Sequence, residues 1–132
     1  MTYCLDTNTI VYFLKGTHGG IRERLAELQP QEVSVSEVVV AELFFGVQRS
    51  QRKKSNLGKV TAFLAPVRRL AFDEKVSPHY AEIRADLTDR GEMIGPNDLL
   101  IAATARAHGL TLVTHNTGEF SRVTGLKLED WV

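Results

Sequence analysis

Four acids in this chain sit in settings that ask for an explanation. Asp6 directly follows the apolar run Tyr3-Cys4-Leu5. Asp is a good helix cap, but Thr7 and Asn8 could cap the next helix equally well and leave Asp6 free for other work. Glu42 lies within Val38-Val39-Val40-Ala41-Glu42-Leu43-Phe44-Phe45-Gly46-Val47, a segment that is apolar nearly all round if helical. Val38, Val39 and Phe45 fall on its side of the helix. A carboxylate there is poorly solvated and costly without a partner; an arginine would be the purely structural choice. Gly46, one turn on, leaves room for something close to the helix. Asp98 stands in the first turn of a helix opened by Gly95-Pro96, where the dipole favours an acid by about 0.3–1 kcal/mol. The segment after it, Leu99 to Ala105, is almost wholly apolar, so Asp98 stands at the mouth of a buried helix. Glu119 follows Asn116 by three residues, past an apolar strand. The start of a short helix would be its ordinary setting.

Two carboxylates about 4 Å apart repel by about 4 kcal/mol at an effective dielectric near 20. Such groups converge only if protons or a cation offset the repulsion. An all-oxygen cluster with amide support suits Mg²⁺ or Mn²⁺, not zinc. A hard cation held by two or three carboxylates can orient and activate a water and stabilise charge on a scissile phosphodiester.

The elements that must bring these acids together are legible in outline. Tyr3-Cys4-Leu5 reads as a buried strand, followed by a helix over about Ile10 to Lys15. Gly16 and Gly19-Gly20 break it, and Ile21 to Leu28 is helical again. Val33 to Ser36 alternates as a second strand, and Ser36 or Glu37 opens a helix to about Arg49. Lys54 to Leu64 forms another helix, stopped by Pro66. Val67 to Phe72 reads as a third strand, and residues after Pro78 to about Arg90 as a helix stopped by Gly91. The Gly95-Pro96 helix has Gly109 just past its end. Leu110 to Thr114 and Leu126 to Trp131 supply the last strands. This alternation predicts an α/β domain with a mostly parallel central sheet. Ligand sites in such sheets lie beyond the carboxyl ends of the strands, where Asp6 and Asn116 both fall.

At 132 residues the chain fits one domain, residues 1–132, able to bury a core without a disulfide. Lys and Arg total 16, as do Asp and Glu, which excludes an overall electrostatic grip on nucleic acid but not a local basic patch. The single cysteine, Cys4, allows no internal disulfide or cysteine-based zinc site, and a reducing cytoplasm is the expected home. No apolar stretch is long enough for a membrane span.

Leu5-Asp6-Thr7-Asn8, Ala41 to Gly46, Gly95 to Ala102, Leu112 to Phe120 and the ending Leu128-Glu129-Asp130-Trp131 together resemble the motifs of PIN-domain ribonucleases, in particular the VapC-type toxins of VapBC toxin–antitoxin modules. The resemblance spans essentially the whole chain. It implies a PIN-like α/β/α sandwich and a Mg²⁺- or Mn²⁺-dependent endoribonuclease that cuts structured RNA, tRNA among it. Asp6, Glu42 and Asp98 match the family's three constant acids. Asp6 and Asp98 would be direct metal ligands, with Glu42 binding metal or positioning the attacking water. Asn116 and Glu119 match the segment holding the fourth acid. Glu119 replaces the commoner Asp and is longer by one methylene, while Asn8, Thr114 and Asn116 would support the site. Relatives form homodimers and are silenced by a VapB-type antitoxin whose tail lies over the active site.

Arg49, Arg52, Lys53, Lys54 and Lys59 cluster across a helix junction, either as a solvated turn or as a phosphate-contacting patch. Arg68, Arg69 and Arg84 are lesser candidates. Phe44 and Phe45 sit on a helix that is apolar on too many sides, which suggests an interface. His115 neighbours the acids, as a loop residue or a general acid–base. Two other functions compete with the nuclease. A phosphatase of the haloacid dehalogenase type needs a second Asp where Asn8 stands. A non-catalytic relative that only binds RNA or a partner would have little reason to keep Glu42 in an apolar helix. No glycine-rich phosphate loop is present.

Overall fold

The computed structural model describes residues 2–132. Strand β1 (Tyr3–Leu5) is followed by helices α1 (Thr7–Lys15) and α2 (Gly19–Ala26), then a single 3-10 turn (Pro30–Glu32). Strand β2 (Val33–Ser36) leads into α3 (Glu37–Arg49) and α4 (Lys53–Leu64). Strand β3 (Arg68–Leu70), helices α5 (Ser77–Arg90) and α6 (Pro96–Ala107), strand β4 (Thr111–Val113), the short α7 (Thr117–Phe120) and strand β5 (Lys127–Glu129) complete the order.

The five strands form one sheet in the order β3-β2-β1-β4-β5, and each neighbouring pair is parallel. Tyr3 pairs with Val33 on one side and Thr111 on the other, so β1 is central. Its Cys4 and Leu5 are fully buried, as are Val35 in β2 and Leu112 and Val113 in β4. Near-continuous burial is what a parallel sheet flanked by helices requires. The edges are charged: Arg68 and Arg69 on β3, Lys127 and Glu129 on β5. Charged edge strands discourage pairing with another chain. Burial pushes the Cys4 thiol up to about 12, so it is inert in the core.

Chain order reverses at the centre of the sheet. From β1 the chain steps outward through β2 to β3, then returns to β4 on the other side of β1. The crevice beyond the carboxyl ends of β1 and β4 is therefore the topological switch point. Asp6 and Thr114 are the first residues past those two ends.

Two local expectations are corrected. Gly19 and Gly20 do not separate helices; they open α2. A Cβ on Gly20 would lie 2.5 Å from the Trp131 carbonyl oxygen, a backbone atom that cannot step aside cheaply. Trp131 is held there by an edge-on contact with Tyr3 at 5.1 Å and by the Arg24 guanidinium 5.2 Å above its ring. Gly20→Ala should therefore destabilise by about 1–3 kcal/mol through overpacking. Gly46→Ala, in an open helical position, should stabilise by about 0.5–1 kcal/mol. Urea midpoints of the two variants should move in opposite directions. A Gly20→Ala midpoint at or above wild type would contradict the packing. The strands are also shorter than the apolar runs suggest; β3, for instance, covers only Arg68–Leu70 of the run Val67 to Phe72.

Candidate active site

Asp6 is itself the cap of α1, in place of Thr7 or Asn8. Its backbone is extended, and its Oδ1 accepts from Thr9 N at 2.9 Å. Its Oδ2 accepts from the Thr114 hydroxyl at 2.5 Å. The Thr114 oxygen in turn accepts from Asn116 N at 3.0 Å. Asp6 N donates to Val113 O across the β1–β4 seam at 3.1 Å. Thus one buried carboxylate ties together the ends of both central strands, and each oxygen retains a further lone pair.

The setting of Glu42 differs from the sequence expectation. Helix α3 is not apolar on a buried surface all round: Phe44 is 37% exposed and Phe45 is 67% exposed. Glu42 is half-buried, and its partner is a hydroxyl, not an arginine. Thr7 Oγ1 donates to Glu42 Oε1 at 2.7 Å. That leaves Glu42 Oε2 without a hydrogen-bond partner among the described residues.

Asp98 falls in the first turn of α6, half-buried, with the buried Leu99 and Ile101 beneath it. Burial, then the Glu119 carboxylate, then Glu42 and Asp6 push its carboxyl up to about 7. Glu119 is held below its ordinary range, chiefly by the Gly95 N–H and next by the Asn116 amide. The distances are 2.7 Å from Gly95 N to Glu119 Oε1 and 2.8 Å from Asn116 Nδ2 to Glu119 Oε2.

Asp6, Glu42 and Asp98 converge on one pocket of about 120 Å³ at the switch point, with Thr7, Asn8 and Asn116 around it and Ile101 and Phe120 as its apolar lining. Asn8 is exposed at the rim and offers an amide where a two-aspartate phosphatase would need an acid. Thr114 is fully buried and acts through Asp6. Glu119 does not line the pocket. Thr7 and the Gly95 amide were missed from the sequence; only the Thr7 hydroxyl beside Asp6 carried a signal for its role.

A divalent cation fits this donor set in one respect and not in another. Among the described residues, no three His, Cys, Asp or Glu side chains stand close enough to enclose an ion by themselves. Yet the pocket is lined by oxygen donors, and Asp98 is driven to hold a proton by its burial and then by the carboxylates around it. Mg²⁺ keeps several waters and needs only one or two carboxylates, so a hard cation can take the place of that proton.

The raised Asp98 value has a direct consequence for stability without metal. The folded chain holds this proton up to about pH 7, while an unfolded Asp releases it near 3.9. Stability from this group therefore increases as pH falls from about 8 towards 5 and declines as pH rises through 7. In EDTA, the difference in melting temperature between wild type and Asp98→Asn should be larger at pH 8 than at pH 5.5, with the variant ahead. An equal offset at both pH values would contradict the crowding.

The remaining candidates are dispersed. Arg49, Arg52, Lys53, Lys54 and Lys59 are exposed, and none forms an ion pair among the described residues. Lys59 lines a second cavity of about 310 Å³ between α1, α3 and α4, together with Lys15, Leu43 and Val47. This groove shares Glu42 with the acid pocket. Arg49, Arg52, Lys53 and Lys54 line neither cavity. Arg69 is engaged by Glu37, and Arg84 by the Tyr80 hydroxyl. His115 points to Asp130 at 2.9 Å rather than into the pocket.

The chain is similar to known proteins over nearly its whole length. The family model for the PIN domain matches residues 3–126. A protein of Shigella flexneri named tRNA(fMet)-specific endonuclease VapC is 37% identical over 131 residues, spanning 99% of this chain and 98% of that protein. The crystal structure of VapBC2 from Rickettsia felis bound to a DNA fragment from its promoter matches with a TM-score of 0.93 at 37% identity, covering 100% of both chains. DNA-bound VapBC from Salmonella typhimurium matches with a TM-score of 0.94 at 35% identity, covering 100% of this chain and 99% of that one.

Proposed function

The chain belongs to the PIN domain family, and from that premise we propose that it is a VapC-type toxin, an endoribonuclease neutralised by a VapB-type antitoxin. The observation that carries the reading is the meeting of Asp6, Glu42 and Asp98 in one pocket at the switch point of the sheet. Full-length similarity to VapC ribonucleases and to the toxins of VapBC complexes supports it. Structured RNA, tRNA included, is the substrate class.

Asp6 and Asp98 would hold a divalent cation, Mg²⁺ or Mn²⁺, with Glu42 beside it. Such an ion, when bound, neutralises phosphate charge and activates water for attack on the phosphodiester. Thr7 fixes one oxygen of Glu42, so Oε2 is the atom free to orient the attacking water and take its proton. Thr114 and Thr9 hold the Asp6 carboxylate in a single orientation. Ile101 and Phe120 give the pocket a dry wall, which strengthens every charge interaction within it. Arg49, Arg52, Lys53, Lys54 and Lys59 supply phosphate contacts outside the pocket, a sequence-independent grip that salt should weaken. Exposed Phe44 and Phe45 offer an apolar surface for the antitoxin or for a second copy in a homodimer.

No helix of the described residues is long and apolar enough to cross a membrane. The test is direct. Purified protein is incubated with total bacterial RNA in Mg²⁺ or in EDTA, and fragment ends are mapped. Discrete ends with Mg²⁺ and intact RNA with EDTA are expected. Intact RNA under both conditions would reject the nuclease reading.

A further inference from the structure

The acid that matches the family's fourth site position does not line the pocket as Asp6 and Asp98 do. Both oxygens of Glu119 are taken by amide donors, and each donor belongs to a different part of the site. Oε1 receives the backbone N–H of Gly95, the residue that caps α6. Oε2 receives the side-chain amide of Asn116, the residue just before α7. A Cβ placed on Gly95 would lie 3.4 Å from Asp98 Oδ2 and 3.7 Å from Glu119 Oε1, so the two carboxylates flank the same backbone point. Asn116 lines the pocket, whereas Glu119 does not.

We propose that Glu119 is a positioning residue: it latches α7 onto the N-terminal turn of α6, and so fixes the height and rotation at which Asp98 faces the pocket, while Asn116 presents the fourth polar group. The inference rests on the nuclease reading above for its activity readout. Side-chain length is what makes it specific to this chain. Glu119 sits on α7 and must reach the backbone of another segment, 24 residues earlier. Asp, one methylene shorter, should lose one of these two contacts, made by Glu119 at 2.7 and 2.8 Å.

Three variants separate positioning from ligation: Glu119→Gln, Glu119→Asp and Glu119→Ala. Gln keeps an oxygen for Gly95 N, and Asn116 can turn its own amide to accept from the new NH₂; the negative charge is lost. The readouts are hydrogen exchange at the Gly95 amide in metal-free protein, Mn²⁺ affinity by calorimetry, and kcat and KM on RNA. Glu119→Gln should keep the Gly95 amide protected, with Mn²⁺ affinity and kcat within about threefold of wild type, whereas Glu119→Ala and Glu119→Asp should lose protection and about 10–100-fold in kcat, with KM little changed. Mn²⁺ affinity in Glu119→Gln as weak as in Glu119→Ala, with Gly95 still protected, would make Glu119 a ligand and overturn the proposal. Full turnover in Glu119→Ala or in Glu119→Asp would overturn it too. Should wild type cut no RNA, the nuclease reading fails on its own, and Gly95 exchange with Mn²⁺ calorimetry still decides the role of Glu119.

Discussion

Asp98→Asn is expected to abolish RNA cleavage and at the same time make the metal-free protein more stable at pH 8. The two effects have one cause. Asp98 is held partly protonated first by burial and then by the neighbouring Glu119, Glu42 and Asp6 carboxylates. An amide of nearly the same shape removes the charge that a cation needs and also removes the repulsion. Loss of partners that merely support a metal ligand costs about 10–100-fold in activity, so loss of a ligand itself should cost at least about 100-fold in kcat. Expression of the wild-type chain without its antitoxin should arrest bacterial growth, and the Asp98→Asn chain should not. The opposite signs make the outcome hard to mimic, because a misfolded variant would lose stability along with activity. A variant that cuts RNA at the wild-type rate would remove Asp98 from the site.

Leu112→Ala should cost the fold more stability than Gly20→Ala does. Leu112 is fully buried in β4, paired with Cys4 on one side and Leu128 on the other. Truncating a buried leucine costs about 2–5 kcal/mol, through lost transfer energy and the cavity left behind. Domains of this kind are stable by only about 5–15 kcal/mol in total. The melting temperature should fall by about 10 °C or more. Leu57→Ala, at a position 45% exposed, should leave it nearly unchanged. Equal small shifts for the pair would mean that β4 does not lie at the centre of the core.

Element order was most readable where a strand is apolar and ends at a polar residue, as Tyr3-Cys4-Leu5 does before Asp6, and where a helix carries a side-chain cap or a closing glycine, as α1 and α5 do. Gly16 and Gly91 stop their helices in the left-handed conformation, as a glycine after a periodic run suggests. Gly19-Gly20 looks the same in sequence but opens a helix, because its constraint is a carbonyl far along the chain at Trp131. Asp6 was identifiable as an acid at a strand end. Its capping role was not, because three successive residues could each cap, and only backbone geometry selects one. For Glu42 the sequence shows an acid in an apolar helix but not what the acid faces. Phe45 lies on the same side of α3, but it is exposed, so Glu42 faces a pocket rather than a core. Glu119 was the hardest to interpret: its partners are a backbone amide and a neighbouring amide, and neither has a signature in residue type.

The double engagement of Asp6 divides the ways in which this protein can lose its toxicity. A change there that removes the side-chain oxygens slackens the cap of α1 and the seam between β1 and β4, so a harmless variant of that kind is also fragile and exposed to proteolysis. A mutation at Asp98 leaves the scaffold intact. Bacteria selected for survival without antitoxin should therefore accumulate two kinds of escape lesion: those that clear the polypeptide from the cell, and those that leave an inert, long-lived decoy still able to occupy its antitoxin.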